Sequence, residues 1–563
     1  MRRGYCLFIS LFVCFPLFAC AGSETIYVDS QAQFDALEGS INAAIAKGKN
    51  NIRVELSEGP FCFEGGKLRF ASANASTSIS IHGNSTVLFA KGRVNPDTVN
   101  PENTYLILSN LSPVNLWGPV FQADGNVEVT DKAAKTCRIR LKAPAGVKAG
   151  DWIRISRWYT SSTHRIIRVK DGYAFFTVED LAFVPLRMSY NINSDYFYGG
   201  LRPRYRIMSA ESLKGWESYE CSANNFLNVD GVGLKSFRME GVDFRGCAYT
   251  VWKGLIRFNG IKAERIEVRN CSFRGCRSVV LNICGSSGFL CEDCLFEDNH
   301  DGCIVSDNAS EGSRVLSCTF RGGGGSWTNV MEVRMEGKDF RVADNVFSDF
   351  GYGAVSAGLY WEKNRRGPCS GVVEGNHIFH SASFRDARDA RTLMDSGAIY
   401  LFTMNDGVTV RYNCIHDIVG MKDNRGIFCD DGAYGFTIEG NVIYNIGNSY
   451  CIDSRRVPEV EKKTGRFNEG NVIRGNVLDG SVRFESSGRK GNGCIKGKNY
   501  LLERLWEDGS SRSISLSGLE KKDDDVILAL KGIQDGRLSL GRNGMKLLKK
   551  NPYYKHIKKY FEQ

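Results

Sequence analysis

Proline and histidine are scarce in this chain, with 12 Pro and 7 His among 563 residues. Proline therefore makes up about 2% of the sequence against an average of about 5%, whereas glycine, with 61 residues, exceeds its average of about 7%. This combination excludes collagen-like and proline-rich linker proteins and is typical of a β structure with many tight turns. Because 42% of the residues are hydrophobic, the chain can bury a large core, and wholesale disorder is also excluded.

Charge of one sign is limited as well. The formal net charge is only +10, and no basic run is interleaved with aromatic residues. A nucleic-acid-binding surface would show a strong positive charge and basic runs interleaved with aromatic residues. We therefore expect no nucleic-acid partner.

Long apolar runs are confined to the beginning of the chain. Arg2 and Arg3 precede the uncharged residues 5–19, a stretch too short to span a bilayer as a helix. The stretch ends in Leu17-Phe18-Ala19-Cys20, which resembles a bacterial lipobox. We therefore expect residues 1–20 to be a lipoprotein signal peptide, with Cys20 lipidated and the protein anchored to the outer-membrane surface of the cell envelope. The alternative is an ordinary secretory signal.

A short phrase recurs eight times between residues 263 and 480: an apolar residue, two others, Asn or Cys, one other, then Phe, Ile or Leu. Its Asn or Cys positions are Cys271, Cys294, Cys318, Asn345, Asn376, Asn413, Asn441 and Asn476. They are separated by 23 to 37 residues, which indicates a constant coil carrying loops of different length. Since one coil cannot bury its own apolar face, the coils must stack. The pattern predicts an all-β fold, a right-handed parallel β-helix of the pectate-lyase-like solenoid type.

The remaining segments suggest how the solenoid is completed. Residues 21–94 are predicted to hold an N-terminal capping helix, starting with a capping box at Ser30 and Gln33 and ended by Gly48, and the first coils. Residues 95–225 lack the phrase and read as an inserted β-rich module, with a hairpin across residues 165–178. Residues 226–500 are assigned to the β-helix and 501–563 to a basic C-terminal extension. We expect a monomer.

The cysteines of the phrase occupy the slot that Asn takes in later coils. We therefore predict that Cys271, Cys294 and Cys318 are buried thiols rather than disulfide partners. Cys291 and Cys294 form a CxxC pair, an alternative half-site for zinc, but both fall on inward positions. The sequence accordingly predicts neither a metal nor a cofactor.

Coil length points to the functional site, because activity on such a scaffold lies on loops and outward side chains. The longest spacings lie between residues 345 and 476 and include residues 395–400 (DSGAIY), 411–417 (RYNCIHD) and 426–433 (GIFCDDGA). Two acidic clusters on adjacent coils suit glycosidic bond cleavage, where one carboxylic acid protonates the leaving oxygen and another acts as nucleophile or base.

These three motifs resemble the core of the parallel β-helix glycoside hydrolases of family 141, bacterial enzymes that attack plant-type glycans. The resemblance implies Asp395 and Asp431 as catalytic carboxyls, with Asp430 beside them and His416 in support. Aligning Ile399 with Ile427 places Asp395 level with Asp423, so Asp395 and Asp423 form a rival pair. Asp417 fits a turn position better than a catalytic one. Further residues predicted to bind the glycan substrate are Asp423, Arg425, Arg391, His377 and Tyr400.

Three functions remain open from the sequence. The first is an exported glycoside hydrolase with paired Asp carboxylates. The second is a polysaccharide lyase, in which Arg or Lys removes a proton from a uronate and calcium neutralises the carboxylate. The third is a non-catalytic glycan-binding solenoid.

Overall fold

A computed structural model describes the chain between residues 22 and 512, with gaps. The longest segments outside the described residues are 91–103, 108–120, 179–203, 359–368, 382–395 and 485–494. No helix in the described part of the chain is long and apolar enough to cross a membrane.

Parallel strands form three long sheets, which we name A, B and C in the order in which a coil visits them. Sheet A contains Gly22–Val28, Lys49–Leu56, Ser78–Ala90, Ser236–Arg245, Lys262–Arg269, Ser287–Glu292, Arg314–Leu316, Phe340–Ala343, Cys369–Glu374, Asn405–Arg411, Phe436–Glu439, Val472–Arg474 and Ile495–Lys496. Sheet B contains Phe61–Phe63, Ser272–Arg274, Leu295–Glu297, Thr319–Arg321, Val346–Phe350, His377–Ser381, Cys414–His416, Val442–Tyr444, Val477–Leu478 and Tyr500–Leu501. Ser78–Ala90 and Ser236–Arg245 continue from sheet A into sheet B.

Sheet C contains Leu227–Asp230, Ile256–Asn259, Leu281–Cys284, Ile304–Ser306, Met331–Met335, Gly353–Ala357, Ile399–Leu401, Arg425–Cys429, Tyr450–Ser454 and Val482–Phe484. Its strands stack in register, so that Ile399, Ile427 and Ile452 form one inward column. On sheet B, five phenylalanines stack in the same way with ring centroids 4.6–5.3 Å apart: Phe244, Phe273, Phe296, Phe320 and Phe347. The predicted parallel β-helix is confirmed.

The asparagines of the phrase form a continuous ladder inside the coil. Asn376 shows the pattern: its side-chain amide donates to Val342 O at 3.0 Å and to Asn413 Oδ1 at 2.9 Å, while its own Oδ1 accepts from Asn345 N at 3.0 Å. Asn376 is fully buried. Each asparagine thus satisfies backbone groups of the neighbouring coil that would otherwise be buried without partners.

The cysteines continue this ladder with a simpler side chain. The Cys294 thiol contacts Val268 O at 3.5 Å and the Cys318 thiol contacts Cys291 O at 3.7 Å, the carbonyl positions that asparagine amides contact in later coils. Cys271, Cys294 and Cys318 are buried and are not joined in disulfides. The prediction of buried ladder thiols is confirmed.

The N-terminal apolar face is divided into two helices, Gln31–Asp35 and Leu37–Ala46. Ser30 accepts a hydrogen bond from Gln33 N, and Gln33 Oε1 accepts one from Asp29 N at 2.8 Å. The chain leaves the second helix through Gly48, whose φ is +80°. Buried Phe34 and Ile41 join the solenoid core, and the role of the helices as a cap stays a prediction.

A separate antiparallel sheet is formed by residues that lie, in sequence, between the first coils and the main solenoid, while Ser78–Ala90 pairs directly with Ser236–Arg245. It contains Phe121–Gln122, Glu128–Asp131, Thr136–Arg140, Trp152–Arg157, Thr160–Lys170, Tyr173–Thr177 and Arg204–Met208. The predicted hairpin is confirmed: Lys170 pairs with Tyr173 across Asp171 and Gly172, which both have positive φ, as a type I′ turn requires. The module limits 95–225 stay a prediction. Two-stranded pairs are formed by Thr104–Ile107 with Glu217–Glu220 and by Arg504–Leu505 with Ser511–Arg512.

Candidate functional site

The structure brings two predicted site residues, Tyr400 and Asp430, into contact on the outer face of sheet C. Asp430 directly follows the strand Arg425–Cys429, and its backbone N donates to Leu401 O at 2.9 Å. The Tyr400 hydroxyl donates a hydrogen bond to the Asp430 carboxylate. Tyr400 is buried and Asp430 is half-buried. The carboxylate is therefore held in one orientation at the end of a strand.

Aromatic rings surround this pair. Tyr400 contacts Phe402 and Phe428 with ring centroids 4.6 and 5.0 Å apart, and Tyr352 lies 6.0 Å away. These residues form a small apolar cluster separate from the solenoid core. Because Tyr352, Tyr400 and Phe428 are buried, their packing fixes the position of the Tyr400 hydroxyl that contacts Asp430.

Asp453, on the next strand of sheet C, is level with Phe428 and fully buried. Arg425 Nε lies 2.6 Å from its Oδ2, Arg483 reaches both carboxylate oxygens at 2.6 Å, and Arg455 Nε lies 3.2 Å away. Three guanidinium groups therefore face one carboxylate. The pairing compensates the buried Asp453 charge and leaves positive charge beside the aromatic cluster.

Arg425 was predicted to bind substrate, and the structure shows a buried residue that takes part in this network. Its side chain is 1% exposed, and its guanidinium carbon lies 4.0 Å above the Phe428 ring. Its Nη1 lies 3.4 Å from Ser396 O. These contacts suit a residue that positions the neighbouring strands.

Four predicted residues lie outside the described residues: Asp395, Asp431, Asp423 and Arg391. The expected register of Ile399 with Ile427 is confirmed. In this register Ser396 lies beside Arg425, at one end of the strand pair. Asp430 lies at the other end, about six residues or roughly 20 Å from Ser396 along the strand direction. The pairing of Asp395 with Asp431 or Asp423 stays a prediction.

The two predicted histidines lie on sheet B instead. His377 Nε2 and His416 Nε2 are 2.7 Å apart, and His416 Nδ1 lies 2.7 Å from Asp417 Oδ2. Asp417 has a φ of 53°, as expected for a turn residue. Burial alone would raise the pKa of Asp417, but hydrogen bonds from His416 and Asn445 outweigh it and hold that pKa below its ordinary value. The structure thus joins the histidines to each other.

The sequence reasoning missed Asp453, Arg455 and Arg483. The register of sheet C could have identified two of them. Tyr400 is level with Phe428, Phe428 is level with Asp453 on the next strand, and Asp453 is level with Arg483 on the strand after that. It also missed Glu332 on sheet C, a buried carboxyl whose pKa burial raises to about 7.

No protein-family model matches the sequence, and no curated protein matches it. The structure is similar to a solved protein described as a glycoside hydrolase, at 11% identity and a TM-score of 0.48, over 81% of this chain and 96% of that one. It is also similar to the A-module of the mannuronan C-5 epimerase AlgE6 from Azotobacter vinelandii (12%, TM-score 0.32, 85% and 93%) and to a family 28 exopolygalacturonase from Yersinia enterocolitica (10%, 0.26, 84% and 68%). Likenesses this weak do not transfer an activity, so the function rests on the site itself.

Proposed function

We propose that this chain is a glycoside hydrolase of the family 141 type, acting on a complex plant-type polysaccharide or oligosaccharide. The observation that supports the proposal is the Tyr400–Asp430 hydrogen bond within an aromatic cluster on the outer face of sheet C. A carboxylate fixed by a hydroxyl at the edge of an apolar cluster provides one of the two carboxyl groups that glycoside hydrolysis needs.

The second carboxyl group is assigned to Asp431, the next residue in the chain. One of the two carboxyls protonates the glycosidic oxygen, while the other acts as the nucleophile or activates water. Asp395 is kept as the third candidate carboxyl, with Asp423 as its rival partner.

One observation favours a lyase as the second candidate function. Arg425, Arg455 and Arg483 place three guanidinium groups around Asp453, beside the same aromatic cluster. Guanidinium groups bind carboxylates in bidentate geometry, and Arg455 and Arg483, which are 30% and 26% exposed, are the two that would hold a uronate for β-elimination.

A product assay on the mature protein separates these functions. Neutral and uronate-containing plant polysaccharides are incubated with the enzyme, and reducing ends and ultraviolet absorbance of unsaturated uronates are followed together. Hydrolysis gives reducing ends without the absorbance, and elimination gives both. Binding without either product would support the non-catalytic solenoid and overturn the proposal.

Tyr400→Phe tests the supporting contact itself, because it removes only the hydroxyl that orients Asp430. We expect about a tenfold lower rate, since a hydrogen bond to a charged group contributes about 1.5–3 kcal/mol. Tyr27→Phe is the matched control, because Tyr27 is 70% exposed. A Tyr400→Phe rate equal to that of the control would remove the main support for this site.

A further inference from the structure

A second group of side chains on the outer face of sheet B joins two successive coils. His377 begins the strand His377–Ser381, and Cys414 and His416 lie on the next strand of the sheet. His377 is level with Cys414, and Phe379 is level with His416. Alternate residues of a strand share a face, so Cys414 and His416 point to the same side as His377. Their ligand atoms all lie within 4.8 Å of one another.

We propose that His377, Cys414 and His416 bind one zinc ion that links the two coils, with water as the fourth ligand. The donor set is two imidazole nitrogens and one sulfur. Such a set suits zinc and excludes the hard cations calcium and magnesium, which require oxygen ligands. This proposal is independent of the proposed glycan activity.

The distances are close to those of a zinc site. The two Nε2 atoms lie 2.7 Å apart in a hydrogen bond, so they already face each other from adjacent coils. Two nitrogens bound to a tetrahedral zinc at about 2.0–2.1 Å lie about 3.3 Å apart, so the rings need to separate by about half an ångström. The sulfur of Cys414 already lies within reach of both rings.

The contacts of His416 fix the ring in the state that metal binding needs. Its Nδ1 lies 2.7 Å from Asp417 Oδ2, and an ionised carboxylate can only accept, so Nδ1 carries the hydrogen and Nε2 presents its lone pair. Asn445 donates to the same Asp417 carboxylate. A carboxylate behind a metal-binding histidine is the usual supporting arrangement in zinc sites.

Aromatic rings hold His416 in place on both sides. Phe379 and Tyr444 stack on it nearly parallel, with ring centroids 5.3 and 4.8 Å away and interplanar angles of 5° and 2°. The ring is therefore oriented before any ion binds, so little ordering remains for binding to accomplish.

Zinc binding changes the protonation of the ligand side chains. The Cys414 thiol loses its proton to solvent as the sulfur–zinc bond forms. Without zinc, the His377 Nε2–H donates to His416 Nε2; on binding, His377 loses that hydrogen from Nε2 to solvent and takes one up on Nδ1, so it releases no net proton. One zinc ion therefore releases one proton from the ligand side chains.

The test uses the full mature chain, stripped with a chelator and kept reduced. Zinc is titrated calorimetrically, and cobalt is added separately to detect sulfur-to-cobalt charge-transfer absorption. We expect one zinc per chain, a raised melting temperature, and at least tenfold weaker binding in both His377→Ala and Cys414→Val. Cys414→Val should also abolish the sulfur-to-cobalt absorption.

The variants are chosen so that folding does not confuse the result. Cys414→Val places at this position the residue that the next coil carries at Val442. His82→Ala, on strand Ser78–Ala90 of sheet A, is the matched control and should bind zinc as the wild type does.

Zinc binding that survives both ligand variants would overturn the proposal. It would assign the ion elsewhere, for example to buried Cys291, Cys294 and Cys318, whose sulfurs also lie within 4.8 Å of one another. Absence of zinc binding to the folded wild type would overturn it equally.

Discussion

At the scale of single residues, Glu332 is a carboxyl group that the fold keeps away from water. It is 2% exposed, and its Oε2 accepts a hydrogen bond from the Cys303 thiol at 2.9 Å. Its Oε1 has no hydrogen-bond partner among the described residues. A Cβ atom at Gly323 would lie 1.9 Å from Oε1, so a larger residue there would force the Glu332 carboxyl group to move. Burial raises the pKa of Glu332 to about 7, from an ordinary value of 4.5.

This raised pKa predicts how stability depends on pH. Between about pH 4.5 and pH 7 the folded chain holds a proton that the unfolded chain has released, so the contribution of Glu332 to stability is present below pH 4.5 and is lost as pH rises through 7. Glu332→Gln keeps a neutral side chain at every pH. At pH 8 we expect the variant to be more stable than the wild type by about 1–3 kcal/mol, and at pH 4.5 to be similar.

Urea unfolding at the two pH values measures this difference. Glu311→Gln is the matched control, because Glu311 is exposed, and it should track the wild type at both pH values. A Glu332→Gln variant that tracks the wild type in the same way would show that the buried carboxyl is not held neutral.

At the scale of elements, the asparagine ladder is what holds successive coils in register. Replacing Asn376 with Ala removes the donor to Val342 O and the acceptor for Asn345 N, both inside the coil. Leaving buried polar groups without partners costs about 1–3 kcal/mol each, so we expect Asn376→Ala to lower the free energy of unfolding by about 2–4 kcal/mol.

Asn376→Cys tests whether the ladder position needs hydrogen bonding or only a side chain that fills the space. Cysteine fills the same slot at Cys294 and Cys318, where the thiol reaches the equivalent carbonyl. We expect Asn376→Cys to lose less stability than Asn376→Ala in chemical denaturation. Asn51→Ala, at an exposed position, should change it little. Equal losses in the Ala and Cys variants would show that hydrogen bonding at this slot does not matter.

Elements of this solenoid could be predicted because the signal is local and repeated. The spacing of Asn345 and Asn376 sets one coil, and the alternation around each Asn sets a strand. The division of the N-terminal helix at Ala36 could not be predicted, because the apolar residues Phe34, Leu37 and Ile41 continue through it.

At the scale of the whole molecule, the site was predictable in part. Tyr400 and Asp430 lie in motifs that could be recognised in the sequence, and neighbouring strands bring them together. The network of Asp453 with Arg455 and Arg483 was not predictable, because it depends on register between strands joined by loops of unequal length. Contacts of this kind follow from stacking, and no short motif encodes them.

The location of the molecule in the cell is a proposal that rests on Cys20 and the residues before it. We expect the mature chain to be held in the membrane fraction by a lipid on Cys20, and Cys20→Ala to release it into the soluble fraction. Cys62→Ala is the control, because Cys62 belongs to a strand of sheet B. Unchanged fractionation of Cys20→Ala would favour a secretory signal or another anchor.

The central claim is that carboxyl groups at the Asp430 end of sheet C hydrolyse a glycosidic bond, and single asparagine variants test it most directly. Reducing-end release is measured for Asp430→Asn, Asp431→Asn and Asp395→Asn, with Asp339→Asn as control, because Asp339 is 73% exposed in a turn. We expect Asp430→Asn and Asp431→Asn each to lose about a hundredfold in rate or more with unchanged melting temperatures. Near-wild-type turnover in both would contradict the claim, and a loss confined to Asp395→Asn would place the reaction at the opposite end of the strand pair.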